Sequence, residues 1–180
     1  MEKNNKIELY VITGPCGVGK STITNMIAKN LESSAVIEGD DIYNMVISGY
    51  VSPWEDYDNK YIDLLWDNCL EIINNFINKG ISVVFNYIIY PDRLKQIIDK
   101  FKDNKNLIIK FVVLTTNEKT IIERDKLRPE DCQMGDRAIV VLNEFKEKGY
   151  DINYILDTSN ISPEDTTTLI LNEDKFILSL

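Results

Sequence analysis

The run Gly14-Pro15-Cys16-Gly17-Val18-Gly19-Lys20-Ser21 constrains this chain more than any other part of it. It fills every fixed position of the pattern G-x-x-x-x-G-K-[ST], between an apolar run, Ile7–Thr13, and a helical pattern that begins at Lys20. The residue types follow from what a triphosphate needs. Glycines let the backbone curl with its N–H groups pointing inward around the anion. Lys20 reaches the β- and γ-phosphates, the Ser21 hydroxyl ligates Mg²⁺, and the following helix aims its positive end at the same place. The expected nucleotide-binding set is therefore Gly14, Cys16, Gly17, Val18, Gly19, Lys20, Ser21 and Thr22. The Cys16 side chain is expected to be a spectator, because the backbone makes the contacts.

Around the loop, short β-rich runs alternate with helical patterns. The strand candidates are Ile7–Thr13, Ala35–Glu38, Ile81–Phe85, Leu107–Leu114 and Tyr154–Asp157. The near-continuous apolar stretches suit a sheet covered on both faces, as parallel sheets are. From Asn59 to Lys79 apolar residues recur at three- and four-residue steps, with Gly80 as a stop. Ala138, Val141, Leu142 and Phe145 mark another helix, closed near Gly149. Ser162-Pro163-Glu164-Asp165 reads as a capped helix start. With no linker or repeat in the chain, residues 1–180 read as a single α/β domain. The fold class is a three-layer α/β/α sandwich around a five-stranded parallel sheet.

Composition removes several chemistries. There is no histidine, which excludes Ser-His-Asp and Cys-His nucleophiles and imidazole bases, so acid–base work falls to other side chains. Lys and Arg total 20 against 29 Asp and Glu, a net charge of −9, which argues against extended nucleic-acid or anionic-membrane contact. Three dispersed cysteines, Cys16, Cys69 and Cys132, form no C-x-x-C pair and suit a reducing compartment. With no signal peptide or membrane span evident, the expected location is cytoplasmic.

A phosphate loop alone does not separate switches, motors and kinases. A guanine-reading Asn-Lys-x-Asp segment is missing, since Leu114 is followed by Thr115-Thr116-Asn117-Glu118-Lys119. The third strand runs into Asn86, where a motor would carry a metal-ordering Asp. Asp40 and Asp41 fall at the C-terminal end of the second strand, the edge where open α/β sheets bind ligands. Asp40 there can take a hydroxyl proton or hold Mg²⁺ through water; Asp41 reads more as a cap of a helix beginning at Ile42, or as solvent-facing. Arg124-Asp125-Lys126-Leu127-Arg128-Pro129, with Arg137 beyond, suits a closing lid of about 124–137, whose cations neutralise a transferring phosphoryl group. The interleaved Glu123, Asp125, Asp131 and Asp136 also fit a solvated helix face. Asp157-Thr158-Ser159-Asn160 is placed by topology beside the phosphate loop, where an adenine would sit.

These features together resemble the small P-loop kinases of the nucleoside monophosphate, shikimate and gluconate kinase and chloramphenicol phosphotransferase type. The Arg124–Pro129 segment is similar to the lid of shikimate kinases. Gly39-Asp40 is similar to the place where gluconate kinases and antibiotic phosphotransferases keep a catalytic aspartate. The resemblance implies the P-loop nucleoside triphosphate hydrolase fold with sheet order 2-3-1-4-5, and ATP- and Mg²⁺-dependent transfer to a small-molecule hydroxyl or phosphate. It assigns Asp40 as base or orienter and, with Ser21, as metal contact; Lys20, Arg124 and Arg128 stabilise charge. The chain departs from the type in lacking the shikimate-kinase glycine triplet, where it has Asn86-Tyr87-Ile88-Ile89-Tyr90, and in lacking the gluconate-kinase histidine.

The acceptor is expected among the second-strand carboxylates, Trp54, Tyr57, Tyr61, Tyr87 and Tyr90, with Arg93 a candidate for an anionic group. The partners are thus ATP and a small-molecule acceptor, with the chain a monomer or homodimer. Two rivals stay open. One is a polynucleotide 5′-hydroxyl kinase; the other is a nucleotide-binding regulator without transfer chemistry, which Asn86 favours.

Overall fold

Strands buried on both faces need apolar side chains in both alternating sets, and that property organises the computed structural model, which describes residues 6–130 and 133–178. The strands are β1 (Ile7–Thr13), β2 (Ser34–Glu38), β3 (Ser82–Asn86), β4 (Leu107–Thr115) and β5 (Ile155–Asp157). They pair in parallel in the order β2-β3-β1-β4-β5, as the resemblance implies. Leu9, Val11, Phe85 and Phe111 face one side of the sheet, and Tyr10, Ile12, Val84 and Val112 the other. Strand ends differ from the expected ones by a residue or so. β5 begins at Ile155 because Ile152–Tyr154 forms a 3₁₀ turn, where the Asp151 side chain accepts the Asn153 N–H.

Helices α1 (Lys20–Asn30) and α7 (Pro163–Asn172) cover the Tyr10 face, using Ile23, Ile27 and Ile170. Helices α3 (Lys60–Ile77), α4 (Pro91–Phe101) and α6 (Asp136–Glu147) cover the other, through Trp66, Ile73, Ile97, Phe101 and Phe145. Between them in chain order lie a short α2 (Gly39–Tyr43) and α5 (Glu118–Lys126). The Gly80 stop after α3 adopts φ 76°, its N–H bonded to the Ile77 carbonyl. The Ser162 cap forms as expected, its Oγ accepting the Asp165 N–H at 3.0 Å. Helix α4 was missing from the sequence reading, although Pro91 at its first turn and Leu94, Ile97, Ile98 and Phe101 at helical spacing announce it.

Helix α2 starts at Gly39 rather than Ile42, so Asp40 and Asp41 occupy its first turn and neither side chain caps it. Both are exposed, where the N-terminal end of a helix favours negative charge. Cys69 lies on the buried face of α3 with its thiol pushed up to about 12 by burial, which makes it inert. Cys132 and Asp131 lie outside the described residues. Among the described residues no helix is long and apolar enough to cross a membrane.

Lys110 places a charge inside this frame. Lys110, in the middle of β4 and 5% exposed, donates from Nζ to the carbonyls of Ile170 (3.1 Å) and Leu171 (2.7 Å) in the last turn of α7. Its ammonium also lies 5.7 Å from the Tyr10 ring centre. Burial lowers the Lys110 pKa, yet the helix C-terminus supplies the negative end of a dipole. Lys110→Ala removes both donors and the packed stem, and a loss of about 2–3 kcal/mol in urea unfolding is expected. A variant as stable as the parent would show that this cap contributes nothing.

Candidate functional site

The loop leaves β1 where the sheet order reverses, β1 pairing with β3 on one side and β4 on the other. Its first glycine is dictated by space as well as angle: Gly14 has φ 145°, and a Cβ there would run into the Leu114 carbonyl oxygen. The loop closes on its own lysine, Lys20 Nζ donating to the carbonyls of Gly14 (3.0 Å) and Pro15 (3.1 Å). Burial pushes the Lys20 pKa down; Cys16, Asp40 and Glu38 oppose that shift, while Arg128 adds to it.

Ser21 Oγ donates to Glu38 Oε2 at 2.9 Å. Glu38 ends β2 directly opposite Asn86 in the register, and the sequence reading passed over it. The signal was its place as the last residue of Val36-Ile37-Glu38, ahead of Gly39-Asp40. Asn86 is 2% exposed, and its Nδ2 donates to Thr24 Oγ1 at 3.1 Å. Thr24 Oγ1 in turn donates to the Lys20 carbonyl at 2.7 Å, so this amide braces the first turn of α1.

A cavity of about 390 Å³ opens over the loop. Its walls carry Cys16, Gly17, Val18, Gly19, Lys20, Ser21 and Thr22 from the expected binding set, with Asp40, Asn86, Arg124 and Arg128. Gly14 is buried beneath the wall. Thr158, Ile23, Ile161, Pro163 and Thr166 complete it, the last four unforeseen from sequence.

Arg124 lies in the last turn of α5, not on a loop. Its guanidinium donates to the Val18 carbonyl (2.9 Å), Thr158 Oγ1 (3.1 Å) and the Thr158 carbonyl (3.0 Å), tying the phosphate loop to the turn after β5. The segment 124–137 therefore includes the end of α5, at Lys126, and the start of α6, at Asp136.

The acceptor-side aromatics do not line this cavity. The Tyr90 hydroxyl donates to Glu144 Oε2 at 2.8 Å, and the Tyr61 hydroxyl to the Gly49 carbonyl at 3.0 Å. The Tyr87 ring is buried over Gly39, where a Cβ would lie 2.5 Å from it. Trp54 and Tyr57 are exposed, and the Arg137 guanidinium lies 4.7 Å from the Trp54 ring centre. Arg93 pairs with Asp63 at 2.6 Å and lies over Trp66, so its charge is committed to the α3–α4 surface.

Residues 11–150 match the family model described as an AAA domain. The chain belongs to that family. No curated protein matches it. Solved structures share the fold over most of the chain. A sugar kinase from Janibacter sp. HTCC2649 is similar at TM-score 0.66 and 15% identity, over 92% of each chain. The tunicamycin resistance protein of Deinococcus radiodurans is similar at TM-score 0.63 and 18% identity, over 91% of this chain and 93% of that one. A chain of the Pnkp1/Rnl/Hen1 RNA repair complex is similar at TM-score 0.60 and 17% identity, over 83% of this chain and 49% of that one. The architecture is the P-loop nucleoside triphosphate hydrolase fold, as the resemblance implies.

Within this family member, Asp125 organises the connection after α5. Only 5% exposed, its carboxylate accepts the N–H groups of Met134 (3.0 Å) and Gly135 (2.8 Å) and lies 3.5 Å from Arg128 Nη1. Burial alone raises its pKa, but the two backbone donors and Arg128 outweigh that and hold it below the usual value. A depressed folded-state pKa gives stability that is present above the unfolded value, about 3.9, and is lost as pH falls through the folded one. Asp125→Asn is expected to cost about 1–3 kcal/mol at pH 7. The gap to the parent should close on acidification below about pH 4, in paired urea titrations. A gap independent of pH would show that the carboxylate charge is not what holds the turn.

Proposed function

We propose that the protein is an ATP-dependent phosphotransferase acting on a hydroxyl of a small molecule. The observation that carries the reading is the single cavity in which Lys20, Ser21, Asp40 and Arg128 share one space above a phosphate loop. The acceptor oxygen attacks the γ-phosphorus, the bond from that phosphorus to the β–γ bridging oxygen breaks, and ADP leaves. Asp40 receives the hydroxyl proton or orients the hydroxyl. Lys20 gives up its two loop carbonyls for phosphate oxygens, and Arg128 meets charge developing on the transferring group. Arg124, held by three backbone and hydroxyl acceptors, keeps the loop and the nucleotide's base end in fixed relation. Kinases of this architecture generally work with ATP and Mg²⁺; here the oxygen-rich set of Ser21, Glu38 and Asp40 suits that hard cation, which would shield the triphosphate charge. Glu38, already the acceptor of the Ser21 hydroxyl, orders that set in place of a strand-end Asp at Asn86.

The test is ADP release with Mg·ATP and hydroxyl acceptors. Lys20→Ala and Asp40→Asn are each expected to lower acceptor-dependent release by about a thousandfold while circular dichroism stays unchanged. Near-parental turnover by Asp40→Asn would remove it as base. Glu38→Gln should weaken the Mg²⁺ dependence of binding of a fluorescent ATP analogue, measured without turnover; an unchanged Mg²⁺ titration would take Glu38 out of the metal set. The likeness to a chain of an RNA repair complex supports a second reading, a polynucleotide 5′-hydroxyl kinase. The net charge of −9 opposes it, and salt-dependent binding of a 5′-hydroxyl oligonucleotide is its test.

A further inference from the structure

Two consecutive residues where β3 ends brace the two halves of the site. Asn86 braces the first turn of α1 through Thr24, which bonds the Lys20 carbonyl. Tyr87, the next residue, braces the first turn of α2. Its N–H donates to the Ile12 carbonyl at 3.4 Å, prolonging the β1–β3 pairing by one residue. Its ring lies on Gly39, where a Cβ would fall 2.5 Å from Tyr87 Cδ2, 2.7 Å from Cγ and 2.9 Å from Cβ. Gly39 has a negative φ, so its backbone would accept another residue. The ring is what forbids one.

The ring has no room to retreat. Tyr87 is 7% exposed, and Trp66 of α3 meets its ring edge to face at 6.2 Å. Trp66 is in turn edge-on to Phe85 of β3 at 5.8 Å, with the Arg93 guanidinium 5.8 Å from its own ring centre. Close packing of this kind passes a displacement on instead of absorbing it. The residues on either side of Gly39 are the two carboxylates of the site. Glu38 accepts the Ser21 hydroxyl, and Asp40 lines the cavity. Asp40 is also the neighbour that acts most strongly on the Tyr87 hydroxyl.

We propose that Tyr87 is a positioning residue: its ring, seated on Gly39, sets where the Glu38 and Asp40 carboxylates stand relative to the phosphate loop. It thereby governs how well the site takes a divalent cation together with the nucleotide. This inference rests on the kinase reading, in which Ser21, Glu38 and Asp40 form the cation set. Tyr87 does not line the cavity and acts through the backbone at Gly39. A ring that merely filled the core would affect every property of the site alike. A positioning ring affects only the acidic edge, because Lys20 is closed on the loop's own carbonyls and braced through Asn86. Nucleotide binding without a cation is therefore independent of Tyr87, and the gain from the cation is not.

The experiment measures the affinity for N-methylanthraniloyl-ATP in EDTA and again in saturating Mg²⁺; the ratio of the two is the cation's contribution. Gly39→Ala and Tyr87→Ala are each expected to lower that ratio about three- to tenfold, with the affinity in EDTA unchanged. Tyr87→Phe keeps the ring and should match the parent. In the double variant Gly39→Ala/Tyr87→Ala the new methyl enters space that the ring has left, so its loss should be smaller than the product of the single losses. A parental ratio in Gly39→Ala overturns the inference, as do single losses that simply multiply. Tyr87→Phe as impaired as Tyr87→Ala overturns it too, giving the role to the hydroxyl. An equal loss in EDTA does the same, since Tyr87 would then support the whole domain. Should Tyr87→Ala fail to fold by circular dichroism, Gly39→Ala and Tyr87→Phe decide by the same two affinities. Each of these outcomes leaves the kinase reading standing. A parent whose affinity ignores Mg²⁺ removes the cation set from that reading, and this inference with it.

Discussion

A half-buried ammonium group is the constraint around which this site is arranged. Lys20 is partly withdrawn from water, and its charge is met by two carbonyls of the loop that it closes. The glycines, the crowding of Gly14 against Leu114 and the Arg124 tie to Val18 all serve to keep those carbonyls where Lys20 can use them. Such an arrangement holds a cation ready for an incoming anion at small reorganisation cost, since phosphate oxygens take the place of peptide oxygens.

Around that cation the chain distributes its carboxylates in an unusual way. The strand beside β1 ends in an amide, Asn86, whose hydrogen bonds run downward into the first turn of α1. A carboxylate stands one strand outward, at Glu38, where the sheet register sets it level with Asn86 and where it meets the Ser21 hydroxyl. The loop and the acidic edge are therefore coupled through a single serine. That coupling links nucleotide binding to the strand that leads directly into Asp40.

Much of this was legible in the sequence because its physics is local. The phosphate loop, the double-sided apolar strands, Gly80 and the Ser162 cap each state a requirement within a few residues, and each is met where expected. What escaped was set by packing between distant segments. Nothing near Arg124 in sequence says that Val18 and Thr158 will claim its guanidinium, and nothing near Tyr90 names Glu144. Arg93 shows the opposite case, a basic residue whose partner, Asp63, belongs to a neighbouring helix and leaves the site without it. Glu38 was overlooked for a different reason. Two aspartates followed it, and only the register with Asn86 shows that the strand's last side chain is the one in contact with Ser21.

The pairing of β1 with β4 carries a consequence for how the protein comes into being. Ile7 lies beside Leu107, so the strand that supports the phosphate loop finds its second neighbour only after about a hundred further residues have been made. Until then Gly14 has no Leu114 above it and Arg124 is not there to fasten Val18. The motif encoded earliest is thus among the last to acquire its shape. A nascent chain stalled before β4 would carry the signature of a nucleotide site without the ability to bind one.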